Sequence, residues 1–312
     1  MKRSRRHTTR LLAVVLGLAL VAGACGDDDP KVAEDTTTTR QSFAAGTTMA
    51  RIKAAGTMKV GVKTDQPGFG LKNPVSGQVE GFDVEIAKII ANAIDPSVKI
   101  EFVETISANR ETYIEKGTDD MVVATYTIND ARKQRVDFAG PYFVAKQDIM
   151  VKKDDTSIKS VDDLNGKRVC SVTGSTSEKN LKAKAPSAKV TLFGKYSECA
   201  AELGAGRVDA VTTDNTILAG LVKDSAGAYK LVEAPFSDEP YGIGVKLGDD
   251  AFRDFINDQL EEMFENGDWD DAFAATLGAS LGLKTPEPPK VDRYKTGTAP
   301  APTVVTTSTT IY

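Results

Sequence analysis

Short β-branched segments alternate with amphipathic segments through the middle of the chain, and this alternation constrains the fold most strongly. Met58 to Val62 alternates apolar and polar residues as a strand does, whereas apolar residues between Phe82 and Ala93 recur at helical spacing. A similar order of elements recurs from Arg168 to Thr212, and about 235 residues are enough for two lobes of ordinary size. Further strands are predicted near 100–103, 121–124, 168–172, 190–193, 208–212, 229–232 and 241–246, and further helices near 110–116, 177–184, 197–203 and 250–266. The sequence therefore predicts an α/β fold with two similar units in tandem.

The first 24 residues have the composition of an export signal. A basic segment ending at Arg10 precedes an apolar run from Leu11 to Val21, which is too short to span a bilayer comfortably. Ala-Gly-Ala then precedes Cys25, an arrangement typical of a lipoprotein signal that is cleaved before an acylated cysteine. We expect a mature chain anchored by lipid to the outer face of the cell membrane, with residues 25–49 as a flexible tether. The alternative is an ordinary secretory signal followed by an incidental cysteine.

Histidine is nearly missing from the sequence. The one histidine, His7, lies in the segment that we expect to be removed. A chain without histidine has no Ser-His-Asp triad, no Cys-His pair and no histidine-ligated zinc site. Export also removes ready access to ATP and nicotinamide cofactors. We therefore expect a protein that is not an enzyme and that uses no cofactor or metal.

The three cysteines are Cys25, Cys170 and Cys199. If Cys25 carries lipid, the other two form an even pair in an oxidising compartment, which favours a disulfide. Closing a loop of about 30 residues would stabilise the fold by about 3–4 kcal/mol on the chain-entropy model. Two buried free thiols are the alternative, and a metal site is disfavoured because no further soft ligand is available.

The charge of the chain limits its partners. The formal net charge is −5, and the signal contributes basic residues but no acidic ones, so the mature chain is more acidic still. Such a chain is poorly suited to nucleic acid and to anionic lipid surfaces. Residues 285–312 are rich in Pro and Thr, and we predict that they form a disordered tail.

Charged and polar side chains gather where the predicted strands end. Ligands of open α/β sheets bind beyond the C-terminal ends of the strands. The first unit places three cations there, and the second unit places a Gly-Ser-Thr turn and a carboxylate there. These residues are Lys63, Asp65, Ser107, Arg110, Thr125, Thr127, Arg132, Thr173, Gly174, Ser175, Thr176, Thr213 and Asp214. The set suits a small zwitterion that carries an additional negative charge.

Residues 81–94, Gly-Phe-Asp-Val-Glu-Ile-Ala-Lys-Ile-Ile-Ala-Asn-Ala-Ile, match the signature of the family 3 solute-binding proteins. These are the polar amino-acid receptors of ABC importers, and the signature alone identifies a fold and not a ligand. Residues 63–71, 124–129, 170–176 and 208–214 resemble the glutamate-binding lipoproteins of actinobacterial glutamate importers, which also carry the two cysteines of the second lobe. The resemblance covers the chain from residue 50 to residue 284.

The resemblance implies a type II periplasmic-binding-protein-like fold, in which two α/β lobes are joined by two crossover strands near residues 142–146 and 238–242. Lobe 1 would comprise residues 50–142 and 243–284, and lobe 2 would comprise residues 147–237. Ligand bound to one lobe would recruit the other by hinge closure. The closed form, expected to be a monomer, would deliver its ligand to a membrane permease driven by an ATPase subunit.

The resemblance also implies how the α-carboxylate of an amino acid is held. Arg132 would grip it, helped by Thr127 and the backbone amide of Thr125, because a guanidinium group pairs with a carboxylate through two parallel hydrogen bonds. Ser175 and Thr176 would close over it from lobe 2. Asp65, Ala124, Thr173, Gly174 and Thr213 are further expected ligand contacts to which no particular group of the ligand is assigned.

The remaining roles concern the ammonium group and side chain of the ligand. Asp214 would accept the α-ammonium, and Phe69 would cover the aliphatic part. Lys63 and Arg110, with Ser107, would hold a side-chain carboxylate. Each has a structural alternative: Lys63 as a solvated rim charge, Arg110 as a helix-start residue and Phe69 as core.

The sequence thus predicts a receptor that captures L-glutamate, or aspartate, for an ABC importer. A glutamine or asparagine receptor of the same family is the first alternative. An extracellular amino-acid sensor and a cyclohexadienyl-dehydratase-like enzyme on the same fold are further alternatives from other functional classes.

Overall fold

The computed structural model describes residues 42–294. The predicted signal, Cys25 and most of the predicted tether lie outside these residues, as do residues 295–312. Within the part described, no helix is both long and apolar enough to cross a bilayer.

Strands and helices alternate along the chain, as the sequence pattern predicts. The strands are β1 (Thr57–Val62), β2 (Asp65–Gln66), β3 (Gly70–Lys72), β4 (Val79–Glu80), β5 (Lys99–Glu104), β6 (Met121–Val122), β7 (Val136–Lys152), β8 (Arg168–Val172), β9 (Lys189–Phe193), β10 (Ala210–Asp214), β11 (Tyr229–Leu231) and β12 (Ser237–Lys246). The helices are α1 (Thr48–Ala55), α2 (Phe82–Ile94), α3 (Arg110–Glu115), α4 (Asp130–Lys133), α5 (Thr176–Lys184), α6 (Tyr196–Gly204), α7 (Asn215–Asp224), α8 (Asp250–Asn266), α9 (Asp268–Phe273) and α10 (Ala279–Leu281). A 3₁₀ turn covers Val161–Leu164 and a π-helical turn covers Ala274–Gly278.

One sheet passes through both units, in the order β5-β1-β6-β12-β7-β10-β8-β9, and β11 also pairs with β7. The outer neighbours β5, β1 and β6 are parallel, as are β10, β8 and β9. In the middle, β7 and β12 are antiparallel and pair from Val136–Lys246 to Gln147–Ser237. These two central strands contain both predicted crossover segments, and the fold class is the predicted α/β type. The boundaries of the lobes stay a prediction.

An aromatic cluster fixes the helices of lobe 1 on the central strands. The ring centroid of Phe82, at the start of α2, lies 5.6 Å from Trp269 and 5.8 Å from Phe273. Trp269 donates its indole N–H to the carbonyl of Tyr142 on β7 at 2.9 Å. Each large buried ring removes apolar surface from water, so this cluster stabilises the packing of α2 and α9 against β7.

The predicted flexible tether does not extend through residues 42–49. Phe43 packs edge-on against Phe255 of α8 with ring centroids 5.5 Å apart. The hydroxyl of Thr48, the first residue of α1, donates to Asp249 at 2.6 Å. The polar composition of the segment gave no indication that Phe43 would pack on α8 or that Thr47 would cap α1.

The prediction of disorder does not hold for residues 285–294, which we call the C-terminal strap. Val291 is 8% exposed within the core, and the amide of Asp292 donates to the carbonyl of Gly140 at 2.8 Å. The Tyr294 hydroxyl accepts a hydrogen bond from the amide of Phe138 at 2.7 Å. The strap thus satisfies backbone groups of β7, a long-range pairing that composition alone does not reveal.

The predicted disulfide between Cys170 and Cys199 is confirmed. It joins β8 to α6, with the two Cα atoms 5.5 Å apart. Cys170 is the middle residue of β8 and lies four residues before Gly174 of the Gly-Ser-Thr turn.

Candidate functional site

The three predicted cations lie together at the ends of the lobe 1 strands. Lys63 follows β1, Arg110 is the first residue of α3 and Arg132 lies on α4. Each is at most 4% exposed. Positive charges buried this deeply require compensation, so their contacts define the chemistry of the site.

Arg132 holds the two units together. Its Nη1 donates to the carbonyl of Thr127 at 2.6 Å, and its Nη2 donates to the carbonyl of Gly174, in the second unit, at 3.1 Å. Its Nε lies 3.3 Å from a carboxylate oxygen of Glu111. Burial and the neighbouring Arg110 lower the pKa of Arg132 to about 10. The side chain of Asn129 caps α4 and thereby sets the direction of Arg132.

Arg110 supports the loop after β6 as well as facing the site. Its Nη1 donates to the carbonyls of Ala124 and Thr125 at 3.0 and 3.1 Å. The guanidinium lies 4.2 Å from the centre of the Tyr126 ring, and Nε is buried without a hydrogen-bond partner among the described residues. A structural role and a free donor therefore coexist in one side chain.

Lys63 is a buried ammonium group with a weak partner. Its Nζ donates to the hydroxyl of Ser107 at 2.9 Å. Burial, followed by the charge of Arg110, lowers the pKa of Lys63 well below its usual range. Within residues 42–294, no carboxylate oxygen lies within 4 Å of the cationic nitrogens of Lys63 or Arg110. The solvated-rim interpretation of Lys63 is therefore wrong.

The backbone amide of Thr125 does not have the predicted role. It donates to the buried carboxylate of Asp83 at 2.9 Å, so it is not available to a ligand carboxylate. The Thr125 hydroxyl donates to Gln66 or to the Ala124 carbonyl, at 3.0 and 2.8 Å. Thr125 has a φ of 44°, in the left-handed region that is uncommon for residues other than glycine.

Asp214 ends β10 and turns one oxygen into the site. Its Oδ2 accepts a hydrogen bond from the Tyr241 hydroxyl at 2.5 Å, whereas Oδ1 is buried without a hydrogen-bond partner among the described residues. Burial, followed by the charge of Glu239, raises the pKa of Asp214 to about 7. A ligand ammonium would satisfy Oδ1 and favour the ionised carboxylate.

The Gly-Ser-Thr turn begins α5. Ser175 caps the helix, accepting from the amide of Glu178 at 3.0 Å and donating its one hydroxyl hydrogen to the carbonyl of Val172 at 2.7 Å. Gly174 fits closely against lobe 1, since a Cβ there would lie 2.9 Å from the Cα of Ala108. Thr173, in contrast, is exposed.

Three other predicted contacts have internal partners. Asp65 accepts a hydrogen bond from the amide of Ser197, in the second unit, at 3.2 Å. The hydroxyls of Thr213 and Ser177 lie 3.2 Å apart. Phe69 is fully buried, 5.7 Å from the ring of Tyr241, so the structure supports its core interpretation. Ligand contacts of these residues stay predictions.

Several site residues escaped the sequence analysis. They are Gln66, Asp83, Tyr126, Tyr142, Glu239 and Tyr241. All are at most 1% exposed. Glu239 lies in the polar first half of β12, so hydrophobic alternation gave no signal for it.

Carboxylates near the site do not form a metal centre. Within residues 42–294, no group of three or more His, Cys, Asp or Glu residues could hold a metal ion.

The sequence and the fold of this chain are similar to those of known binding proteins. Residues 58–278 match the sequence pattern of the bacterial extracellular solute-binding proteins, family 3. The chain is 45% identical over 228 residues to the glutamine-binding protein GlnH of Bacillus subtilis, covering 72% of this chain and 83% of that protein. It is 37% identical over 290 residues to the glutamate-binding protein GluB of Corynebacterium glutamicum, covering 88% and 93%. The solved structure of an ancestral arginine-binding protein bound to glutamine superposes with a TM-score of 0.68 at 42% identity. The match covers 72% of this chain and 98% of that chain.

Proposed function

Because the chain belongs to family 3 of the bacterial extracellular solute-binding proteins, we propose that it captures L-glutamate outside the cell. Its relatives are substrate-binding proteins of ABC amino-acid importers, and it serves such an importer. The choice of ligand, the residues that hold it and the closing motion are our proposal.

The buried pair Lys63 and Arg110 carries the assignment to glutamate. Among the described residues neither cation has a carboxylate within 4 Å, although both are almost completely buried. Leaving buried charges unpaired is costly, and a ligand carboxylate between them would offset that cost. Glutamate brings a side-chain carboxylate, whereas glutamine brings a neutral amide.

The opposite end of the site suits the α-amino acid group. Arg132 bridges both units and would hold the α-carboxylate, while Oδ1 of Asp214 would accept the α-ammonium. Ligand bound in this position would contact both lobes, so binding would favour hinge closure.

Glutamine is the second candidate, since a relative of higher identity is a glutamine-binding protein and a solved neighbour holds glutamine. Titration calorimetry of residues 26–312 with glutamate, glutamine, aspartate and asparagine separates the candidates. We expect glutamate to bind most tightly. Equal or tighter binding of glutamine would overturn the glutamate assignment, and no heat with any of the four would overturn the amino-acid assignment.

The substitution Lys63→Met tests directly whether the buried ammonium of Lys63 binds the side-chain carboxylate of glutamate. Loss of a charge-assisted contact predicts a glutamate affinity about 10- to 100-fold lower, with little change for glutamine. The ligand-free variant should also melt at a higher temperature, because a buried, desolvated ammonium has been removed. Lys88→Met is the matched control, since Lys88 is 51% exposed and its one ion pair within residues 42–294 is with the surface residue Glu85.

We also propose that Cys25 is the lipid anchor. Labelling of the expressed chain with a fatty acid should modify the unaltered protein and not Cys25→Ser. Equal labelling of both chains would contradict the anchor and leave an ordinary secreted receptor.

A further inference from the structure

Glu239 lies on the central strand β12 and touches both units. Its side chain is 1% exposed. Its Oε2 accepts hydrogen bonds from the hydroxyls of Thr127, on the lobe 1 side, and Thr176, at the start of α5, at 2.8 and 2.7 Å. Its Oε1 accepts hydrogen bonds from the side-chain amide of Asn180 at 3.0 Å and from the hydroxyl of Ser237 at 2.7 Å. Four donors thus surround the two oxygens of one carboxylate.

The carboxylate determines the direction of the two threonine hydroxyls. A hydroxyl has one hydrogen to donate, and an ionised carboxylate can only accept. The hydroxyl oxygens of Thr127 and Thr176 lie 3.3 Å apart, farther than either lies from Glu239. Both hydrogens therefore point at Glu239, and both hydroxyls offer only lone pairs to anything else.

Thr127 is connected to Asp214 through Tyr241. Thr127 forms a β-bridge with Tyr241, and Tyr241 donates to Asp214. Glu239 is near enough that its charge is the second-largest cause of the raised pKa of Asp214. The Tyr241 hydrogen points at Asp214, so the hydroxyls of Thr127, Thr176 and Tyr241 all direct their hydrogens to carboxylates. Their lone pairs suit a hydrogen-bond donor of positive charge.

We propose that Glu239 is a positioning residue that makes this end of the site selective for the cationic group of the ligand. It acts through Thr127 and Thr176, whose hydroxyls it holds as acceptors, and it engages both hydroxyls only where the two units meet. This inference rests on the proposed function, because it assumes an amino-acid ligand whose ammonium lies near Asp214. It also replaces the predicted role of the Thr127 side chain, since a hydroxyl held as an acceptor cannot donate to a carboxylate.

The substitution Glu239→Gln should reverse the direction of the two threonine hydroxyl hydrogens while it leaves the shape of the side chain almost unchanged. Asn180 and Ser237 both donate to the Oε1 position, so the amide oxygen of glutamine would take that place. Its NH₂ group would then face Thr127 and Thr176, and the hydroxyl hydrogens would be released toward the site. A purely structural contact would survive this exchange, whereas selectivity for a cation would not.

The experiment compares L-glutamate with L-2-hydroxyglutarate, which has a hydroxyl in place of the ammonium, by calorimetry with residues 26–312. In Glu239→Gln we expect the glutamate affinity to fall at least about tenfold, the loss of one charge-assisted hydrogen bond, while the hydroxyglutarate affinity is kept or raised. Thr127→Val should shift the same affinity ratio in the same direction. Asp238→Asn is the control. It removes the charge of the neighbouring Asp238 side chain, which is 73% exposed, and should leave the affinity ratio unchanged.

Three results would overturn the inference. Equal losses for both ligands in Glu239→Gln would show a structural role alone, and an unchanged glutamate affinity would show no role. A ratio that is unchanged in Thr127→Val would exclude the route through the hydroxyl. If the unaltered chain binds no glutamate, the proposed function fails first, and this inference fails with it.

Discussion

Tyr142 and Tyr241 lie on the two central strands, and each donates a hydrogen bond to a buried carboxylate. Tyr142 donates to Asp83 of α2 at 2.6 Å, and Tyr241 donates to Asp214 of β10 at 2.5 Å. Burial raises the pKa of both carboxyl groups to about 7. The residues that connect the units are therefore bonded to carboxyl groups whose pKa values are raised by burial. Only Asp214 has an oxygen left for a ligand ammonium.

Glutamate affinity should depend on the protonation of Asp214. The ammonium requires the ionised carboxylate, so a proton and the ligand compete for it. Burial and the charge of Glu239 raise the pKa of Asp214, whereas the Tyr241 hydrogen bond and the charges of Arg110 and Arg132 lower it. Affinity should be constant from pH 8 to about 7 and weaken as pH falls below that value, approaching tenfold per unit.

Calorimetry between pH 5.5 and 8 checks this dependence. Asp214→Asn should bind weakly and lose the slope, whereas Asp83→Asn should keep it, because Asp83 contacts Thr125 and Tyr142 and not the ligand. An affinity that stays flat down to pH 5.5 in the unaltered chain would contradict the role of Asp214.

The sequence located the charges of the site better than their partners. Lys63, Arg110, Arg132 and Asp214 follow strands of a parallel arrangement, and the topology of such sheets brings strand ends together. The partner of the Thr125 amide could not be predicted in this way. Asp83 lies 42 positions away in the chain, and this pairing depends on how α2 packs.

At the scale of elements, α7 of lobe 2 meets the β2–β3 turn of lobe 1 at a glycine. A Cβ on Gly220 would lie 2.8 Å from the carbonyl oxygen of Pro67, too close without movement of one lobe. Lys223, one turn farther along α7, donates to the carbonyl of Ser280. The contact requires a small residue on α7 when the lobes touch.

Gly220→Ala should stabilise the ligand-free protein and weaken ligand binding. Alanine favours a helix over glycine by about 1 kcal/mol, and the added methyl group meets Pro67 only when the lobes are together. We expect a higher melting temperature and a glutamate affinity about tenfold lower, typical of one overpacked methyl group. Gly278→Ala is the control, since its nearest atoms are 3.5 Å away. Unchanged affinity in Gly220→Ala would argue against closure through this contact.

Hydrophobic periodicity predicts the boundaries of some helices and strands and not of others. Helix α8 has the predicted bounds, Asp250 to Asn266, because its apolar periodicity is regular and Gly267 ends it. Strand β12 begins four residues before its prediction, at Ser237. Its first half carries polar residues whose partners lie on α5 and β7, so hydrophobic alternation could not reveal it.

At the scale of the whole molecule, both ends of the described chain hold lobe 1 together. The C-terminal strap binds the edge of β7 that β12 does not cover, through Phe138 and Gly140. The Tyr294 ring also lies 3.9 Å from the ammonium of Lys133. A strand edge covered in this way has satisfied backbone groups and cannot pair with another chain.

Removal of the strap should therefore destabilise lobe 1 without altering the site. A chain that ends at residue 284 loses the burial of Val291 and leaves the Phe138 amide without an acceptor, for which we expect a loss of about 2–4 kcal/mol in the free energy of unfolding. Tyr294→Phe keeps the ring but removes the acceptor of the Phe138 amide and a long hydrogen bond to Asp137, and should cost about 1–2 kcal/mol. Urea titration of ligand-free protein measures both changes, and a chain that ends at residue 294 is the control, expected to match the full-length protein.

Glutamate affinity should be nearly the same in all of these chains, because the strap does not contact Lys63, Arg132 or Asp214. If the chain ending at residue 284 were as stable as the one ending at residue 294, the contacts of Val291 and Tyr294 would be incidental to the fold.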